Sequence, residues 1–174
     1  MRAVAVPGRC QNVRVIVRLA RERDLAGFLC LAAQVEHWFG PMVDHPGFSA
    51  AVAEHIRGSK ALVAVGPDNG PDSQPPLSGG LLFGSDAPTF HIHWLVVSRQ
   101  ARGRGVGAAL MADAMKRYVT RPGTVEVVTF GADHPGAADS GARVFYERLG
   151  FTPAEVTDPG PEGGPRQVYR LAVS

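Results

Sequence analysis

Gly103, Gly105 and Gly107 stand at every second position directly after an apolar run from His91 to Val97, with Arg99, Arg102 and Arg104 among them. A turn of this composition aims several backbone N–H groups at one point, and a helix beginning beside it adds the positive end of its dipole. The chemistry that suits such a place is capture of an anion, typically a phosphate or pyrophosphate. Glycines carry no Cβ, so a ligand can approach the main chain closely, and the arginines add positive charge. One glycine would suffice for a plain turn with solvated arginines; three favour the anion site.

Which anion is a separate question. Gly103-x-Gly105-x-x-Ala108 also satisfies the dinucleotide fingerprint, and Glu126 lies near the distance expected of a ribose-binding acid. That fingerprint opens a doubly wound domain, whereas here it falls past mid-chain with too few residues left for one. Glu126 also comes early in its expected strand, Thr124–Phe130, rather than at the carboxyl end. Other titratable groups could move protons. His91 and His93 are expected on one face of a strand, and histidine is a side chain that can act as a base near neutrality. A paired structural role fits them equally well. Cys10 and Cys30 have no metal-like spacing and lie away from the glycine turn, which argues against a covalent cysteine route.

These residues need elements to hold them. Val106, Leu110, Ala114 and Tyr118, with Met111 and Met115 beside them, give one apolar helix face after the turn. Lys116 and Arg117 suit that helix's negative end. Upstream, residues 1–11 read as a loose lead-in, and Val13, Val15 and Val17 alternate with Arg14, Ile16 and Arg18 as a first strand. Leu25, Phe28, Leu29 and Ala32 predict a helix over 21–36; Phe48, Val52 and Ile56 predict a second, closed by Gly58. Between them His37–Gly47 reads as a non-helical, shaped loop, in which Trp38 and Phe39 either line a surface or plug the core. Strands are expected at Ala61–Val65, Gly79–Phe83, Phe90–Val97, Val125–Phe130, a short stretch from Phe151, and Gln167–Val173. Residues 66–77 and 158–165 read as loops. Ala142, Phe145, Tyr146 and Leu149 share a helix face that Asp139 or Ser140 could cap and Gly150 stops. The sum is an α+β, three-layer α/β/α-like fold with a mixed sheet and about four helices.

Two of these segments resemble one family. Arg102-x-x-Gly105-x-Gly107, after a strand and before Leu110, is similar to the acyl-CoA-binding motif of the GNAT superfamily of N-acetyltransferases. Ala142-x-x-Phe145-Tyr146-Glu147-Arg148-Leu149-Gly150-Phe151 resembles its later helix-and-strand motif, and Arg18 followed by Asp24 resembles the opening of many of its domains. The resemblance spans most of the chain. It implies a largely antiparallel sheet with a splayed fourth strand and direct transfer of an acetyl group from acetyl-CoA to a primary amine in a ternary complex. On that reading the main chain of Leu95, Val96 and Val97 meets the pantetheine arm and thioester. Arg102, Gly103, Arg104, Gly105, Val106 and Gly107 hold the pyrophosphate. Tyr146 corresponds to a proton donor aimed at the coenzyme A sulfur, although its apolar neighbours also fit a core tyrosine. Many members carry a glutamate base early on the fourth strand; here His91 and His93 occupy that stretch. Asp139 stands where asparagine is common, and a simple helix cap is the preferred reading of it. The loop 37–47 corresponds to part of the acceptor wall. A catalytically silent acyl-CoA-binding sensor is the alternative, and Tyr146 favours the enzyme.

Composition agrees with an ordinary globular chain. The 174 residues are 45% hydrophobic and 20% charged, enough for one domain with a proper core. A net charge of +2 argues against nucleic acid or an anionic membrane as partner, and no run approaches a membrane span or a secretory signal core. The expectation is a single-domain, reduced, cytoplasmic and bacterial protein without metal, acting on a small-molecule or peptide amine. Homodimerisation, acyl length and the identity of the amine stay open.

Overall fold

The computed structural model describes residues 15–66 and 76–174. The lead-in 1–11, Cys10, Val13 and most of the loop 66–77 lie outside the described residues.

Among the described residues seven strands form one mixed sheet in the order β1-β2-β3-β4-β5-β7-β6. They are β1 Ile16–Leu19, β2 Ala61–Val65, β3 Gly79–Asp86, β4 Thr89–Val97, β5 Gly123–Phe130, β6 Thr152–Thr157 and β7 Arg166–Val173. Every neighbouring pair is antiparallel except β4 with β5. A doubly wound dinucleotide fold is parallel throughout its core, so this topology removes the fingerprint reading of Gly103–Ala108.

The helices are α1 Leu25–Ala33, α2 Glu36–Phe39, α3 Pro46–Arg57, α4 Val106–Tyr118, α5 Gly136–Ser140 and α6 Ala142–Arg148. On one face of the sheet Val106, Leu110, Met111 and Ala114 of α4 and Tyr146 of α6 pack on Leu62, Leu81, Phe90, Ile92, Val125, Val127 and Tyr169. On the other, Phe28 and Leu31 of α1 and Val52 and Ile56 of α3 pack on Val63, Leu82 and Val96. The apolar spacing read from the sequence is the spacing that is buried.

Two expectations change. The helix predicted over 21–36 is a 3₁₀ turn at Glu22–Asp24 followed by α1, and the chain leaves helical geometry after Ala33 to bury Val35. The stretch predicted to be non-helical then begins with the single turn α2, closed by Gly40 at φ +79°. The Glu36 carboxylate accepts from the N–H groups of Val43 (2.7 Å) and Met42 (2.6 Å), which holds the loop after α2 and keeps that carboxyl below its ordinary pKa.

Arg18 and Asp24 form a bidentate pair at 2.7 and 2.9 Å, with Asp24 only 1% exposed and also accepting from the Arg21 N–H. Burial alone would raise the Asp24 carboxyl; the Arg18 and Arg21 hydrogen bonds outweigh it and hold the group below its ordinary pKa. A depressed folded-state pKa contributes stability that is present above the unfolded-state value and lost as pH falls through the folded one. Asp24→Asn should therefore cost about 2 kcal/mol at pH 7 and much less in acid, read by urea unfolding at both pH values.

The path of β4 creates the opening in the sheet. Leu82 pairs with Trp94 but Phe83 pairs with Ile92, so His93 is the extra residue of a β-bulge. Beyond it β4 turns away from β5: their parallel pairing covers only Thr89–Ile92 against Thr124–Val127. The sheet parts there into a cleft between the carboxyl ends of the two strands.

Candidate active site

The cleft holds a cavity of about 610 Å³. Leu95, Val96 and Val97 form its β4 wall, and Phe130 at the end of β5 stands opposite. With β5 gone from its side, β4 here presents main-chain groups that no strand among the described residues pairs on that edge. The turn before α4 closes one end with Arg102, Gly103, Gly105, Val106, Gly107 and Ala108.

That turn has the donors an anion needs. Gly105 precedes α4 in left-handed geometry, φ +79°, and no side chain caps the helix. The first intrahelical bond of α4 from its start runs from the Ala109 N–H to the Gly105 carbonyl (3.0 Å). The N–H groups of Val106, Gly107 and Ala108 in the first turn thus have no partner within the helix. Gly103 also has positive φ, +71°, and a Cβ added at either Gly103 or Gly105 would meet nothing within 4 Å. Gly107 lines the cavity and also serves packing. A Cβ there would come within 3.0 Å of the Phe145 ring, so this glycine lets α6 pack against the start of α4. Arg102 donates to the Val97 carbonyl (3.3 Å) and lies over the Trp38 ring at 5.0 Å, whereas Arg104 is exposed and outside the cavity wall.

Tyr146 enters from α6. Its ring is buried, touching Phe145, Phe151 and Tyr169, and it lines the same cavity. Burial pushes its phenol above the ordinary value, so it stays protonated at neutral pH. Among the described residues no buried side-chain N or O atom lacks a hydrogen bond, and the Tyr146 hydroxyl makes none. Asp139 lies inside α5 and caps nothing; Ser140 Oγ accepts from the Ala142 N–H at 3.3 Å, and left-handed Gly141 begins α6.

A second recess of about 390 Å³ lies on the α1/α3 side of the sheet, where β4 and β5 begin to part. His91, His93, Glu126, Val128 and Arg166 line it. Residues 92–93 border this recess and 95–97 the cavity, so the two follow one another along β4. His91 Nδ1 lies 3.9 Å from Glu126, which also accepts from Arg170 (2.6 Å). The His91 and His93 rings are 6.0 Å apart and stacked, so they share a face, as alternate residues of a strand do. Burial, with His55, His91 and Lys60 nearby, lowers the His93 pKa.

Several neighbours carried no sequence signal. Phe39 stacks on Phe130 at 4.6 Å, and His134 stacks on the far face of the same cluster at 4.3 Å. Arg166 lies 5.2 Å over Phe39 and pairs with Glu162 at 2.9 Å. Glu162 lies in the β6–β7 loop and also faces His134 at 3.3 Å. Trp38 and Phe39 accordingly do both things offered for them: they pack on the core and they wall the cavity. Among the described residues no group of three or more His, Cys, Asp or Glu is placed to hold a metal ion, and no helix is long and apolar enough to cross a membrane.

The family model for the acetyltransferase (GNAT) domain matches residues 63–153, just over half of the chain. No curated protein matches. Among solved structures the chain is similar to a GNAT-family protein from Desulfovibrio desulfuricans, at 20% identity and TM-score 0.69 over 93% of this chain and 99% of that one. Ard1 from Thermoplasma volcanium is 15% identical with TM-score 0.70, covering 92% and 98%. The PaiA N-acetyltransferase from Thermoplasma acidophilum, in complex with coenzyme A, is 13% identical with TM-score 0.63, covering 92% and 99%. At such identities the likeness is one of fold.

Proposed function

This chain belongs to the GNAT acetyltransferase family, and from that premise we propose that it transfers an acetyl group from acetyl-CoA to a primary amine by direct attack in a ternary complex. The observation that carries this reading is the cleft itself: uncapped helix amides at one end, β4 main chain unpaired by β5 along one wall, and a buried phenol lining it. The pyrophosphate lies on the turn Arg102–Gly107, held by the first amides of α4. The pantetheine arm runs along Leu95–Val97 as a substitute for the missing β5 pairing. The acceptor amine approaches from the recess at the strand junction.

Chemistry at the thioester then needs two proton movements. The amine nitrogen attacks the carbonyl carbon and gives a proton to a base; the C–S bond breaks with its electron pair on sulfur, which takes a proton from Tyr146. His93 suits the first role. Its lowered pKa leaves it neutral near pH 7, and it borders the recess next to the cleft wall. His91, held beside Glu126, is the second candidate. Solvent returns the proton from the histidine to the tyrosinate after product leaves. Residues 1–174 act as one domain in a reducing cytoplasm on this reading. Cys30 is an exposed free thiol on α1, away from the cavity wall.

Two experiments test this. Calorimetric titration with acetyl-CoA should give one site per chain, weakening as salt rises because phosphate contacts contribute; no binding overturns the reading. With a working amine, kcat/KM should rise with pH as the base loses its proton, with a midpoint below the ordinary histidine value. His93→Gln should remove that limb, and an unchanged profile would pass the role to His91 or to water.

A further inference from the structure

His93 does not stand alone. Its Nδ1 lies 3.0 Å from Nε2 of His55 on α3, and the two rings meet edge to face with centroids 5.2 Å apart. The other nitrogen of His55, Nδ1, is 2.7 Å from the Ala51 carbonyl. A carbonyl only accepts, so His55 Nδ1 must carry hydrogen, and a neutral His55 then has its lone pair on Nε2. Two ring nitrogens 3.0 Å apart share one proton, so His93 Nδ1 is the donor. That leaves the lone pair of neutral His93 on Nε2, which has no partner among the described residues. The ring is fixed from below as well: a Cβ on Gly84 would overlap it, so only glycine at that place on β3 leaves room.

From this chain of hydrogen bonds we infer that His55 is a positioning residue, which holds His93 in the Nδ1–H tautomer so that Nε2 is the atom that accepts the amine proton. The inference rests on the role of His93 proposed above. When Nε2 takes the proton, the imidazolium Nδ1–H strengthens its bond to His55 Nε2, and the Ala51 carbonyl supports His55 in turn. The charged and titratable groups facing His93 are His55 and Lys60 from α3 and the turn after it, His91 on its own strand, and Glu126 and Arg166 across the recess. Removing His55 frees the ring to adopt the Nε2–H form, in which Nε2 has no lone pair to accept a proton.

The test combines a spectrum and a rate on the full chain. Imidazole ¹⁵N shifts of the wild type at pH 8 should report His93 as Nδ1–H, and as mainly Nε2–H in His55→Leu. With acetyl-CoA and a working amine, His55→Leu should lose about tenfold or more in kcat without change in KM for acetyl-CoA. His55→Gln, whose amide oxygen can still accept, should recover most of the rate. His55→Glu puts a carboxylate beside the ring and should move the acidic limb to higher pH. A wild-type His93 in the Nε2–H form overturns the inference whatever residue is the base. A wild-type rate in His55→Leu alongside an impaired His93→Gln overturns it while leaving His93 as base. If both variants keep the wild-type rate, the assignment of His93 fails and the inference falls with it.

Discussion

Tyr146→Phe should lower kcat by about 10²-fold or more, the usual scale for losing a positioned proton donor, with little change in acetyl-CoA affinity. The ring fills the space among Phe145, Phe151 and Tyr169, and phenylalanine keeps that packing. Only the hydroxyl goes, and it has no hydrogen bond to lose within the described protein. Stability should accordingly stay near wild type or rise slightly, which separates a catalytic loss from a folding one. Burial raises the phenol's pKa, which keeps it protonated up to high pH, and the same desolvation disfavours a bare thiolate formed beside it. Steady-state rates with a working amine and a thermal melt decide the matter. A variant with near-wild-type kcat would return Tyr146 to the core.

Gly105→Val should weaken acetyl-CoA binding by about 10²-fold. The position has φ +79° and open space where a Cβ would point, so two effects must be separated. Backbone strain for an L-residue in left-handed geometry costs about 1–2 kcal/mol of stability. Intrusion on phosphate oxygens costs binding, because hydrogen bonds to charged groups contribute about 1.5–3 kcal/mol each. Gly163 is the control, since it too has φ +79° with nothing within 4 Å of an added Cβ, but lies in the β6–β7 loop. Gly163→Val should lose similar stability and keep its acetyl-CoA dissociation constant. Equal binding losses in both variants, or none in Gly105→Val, would remove the pyrophosphate from this turn. Gly107→Val is a poorer probe, because it drives a side chain into Phe145 and damages the fold first.

What could be read from the chain and what could not divides along a physical line. Helices α3 and α4 were legible because each buries a periodic apolar face, and strands β2, β4 and β5 because each is a short, largely apolar run between Gly, Pro or polar punctuation. The splay of β4 came only through family resemblance. His91–Val97 reads as an unbroken strand, and the bulge at His93 exists only as a register shift against β3. Gly84, against which the His93 ring lies, is a local trace of it and looks like any other strand glycine. The break between α1 and α2 was equally hidden, since Val35 continues an apolar helical pattern and departs from it to reach the core.

The glycine turn was legible in residue type and spacing, whereas Tyr146 was singled out only through the family motif; both line the cavity. The purpose of Gly107 was hidden for a clear reason: a glycine that admits a ligand and one that admits the distant Phe145 look alike in sequence. The partners of the histidines were out of reach altogether. His55 sits on a helix 38 residues from His93, and only α3 packing against the sheet joins them. The aromatic wall of Phe39, Phe130 and His134, tied by Arg166 and Glu162, likewise draws on widely separated segments.

The most direct measurement of the central claim is the fate of the acetyl group, followed by mass spectrometry and thiol release with and without an amine panel. Acetyl-CoA alone should bind and remain intact, with no increase in protein mass. Adding a competent amine should release free coenzyme A one for one with the N-acetylated amine. Tight acetyl-CoA binding with no thiol release across the panel would contradict the account and leave a silent acyl-CoA-binding module. Acetylated protein that forms before any amine is added would contradict direct attack.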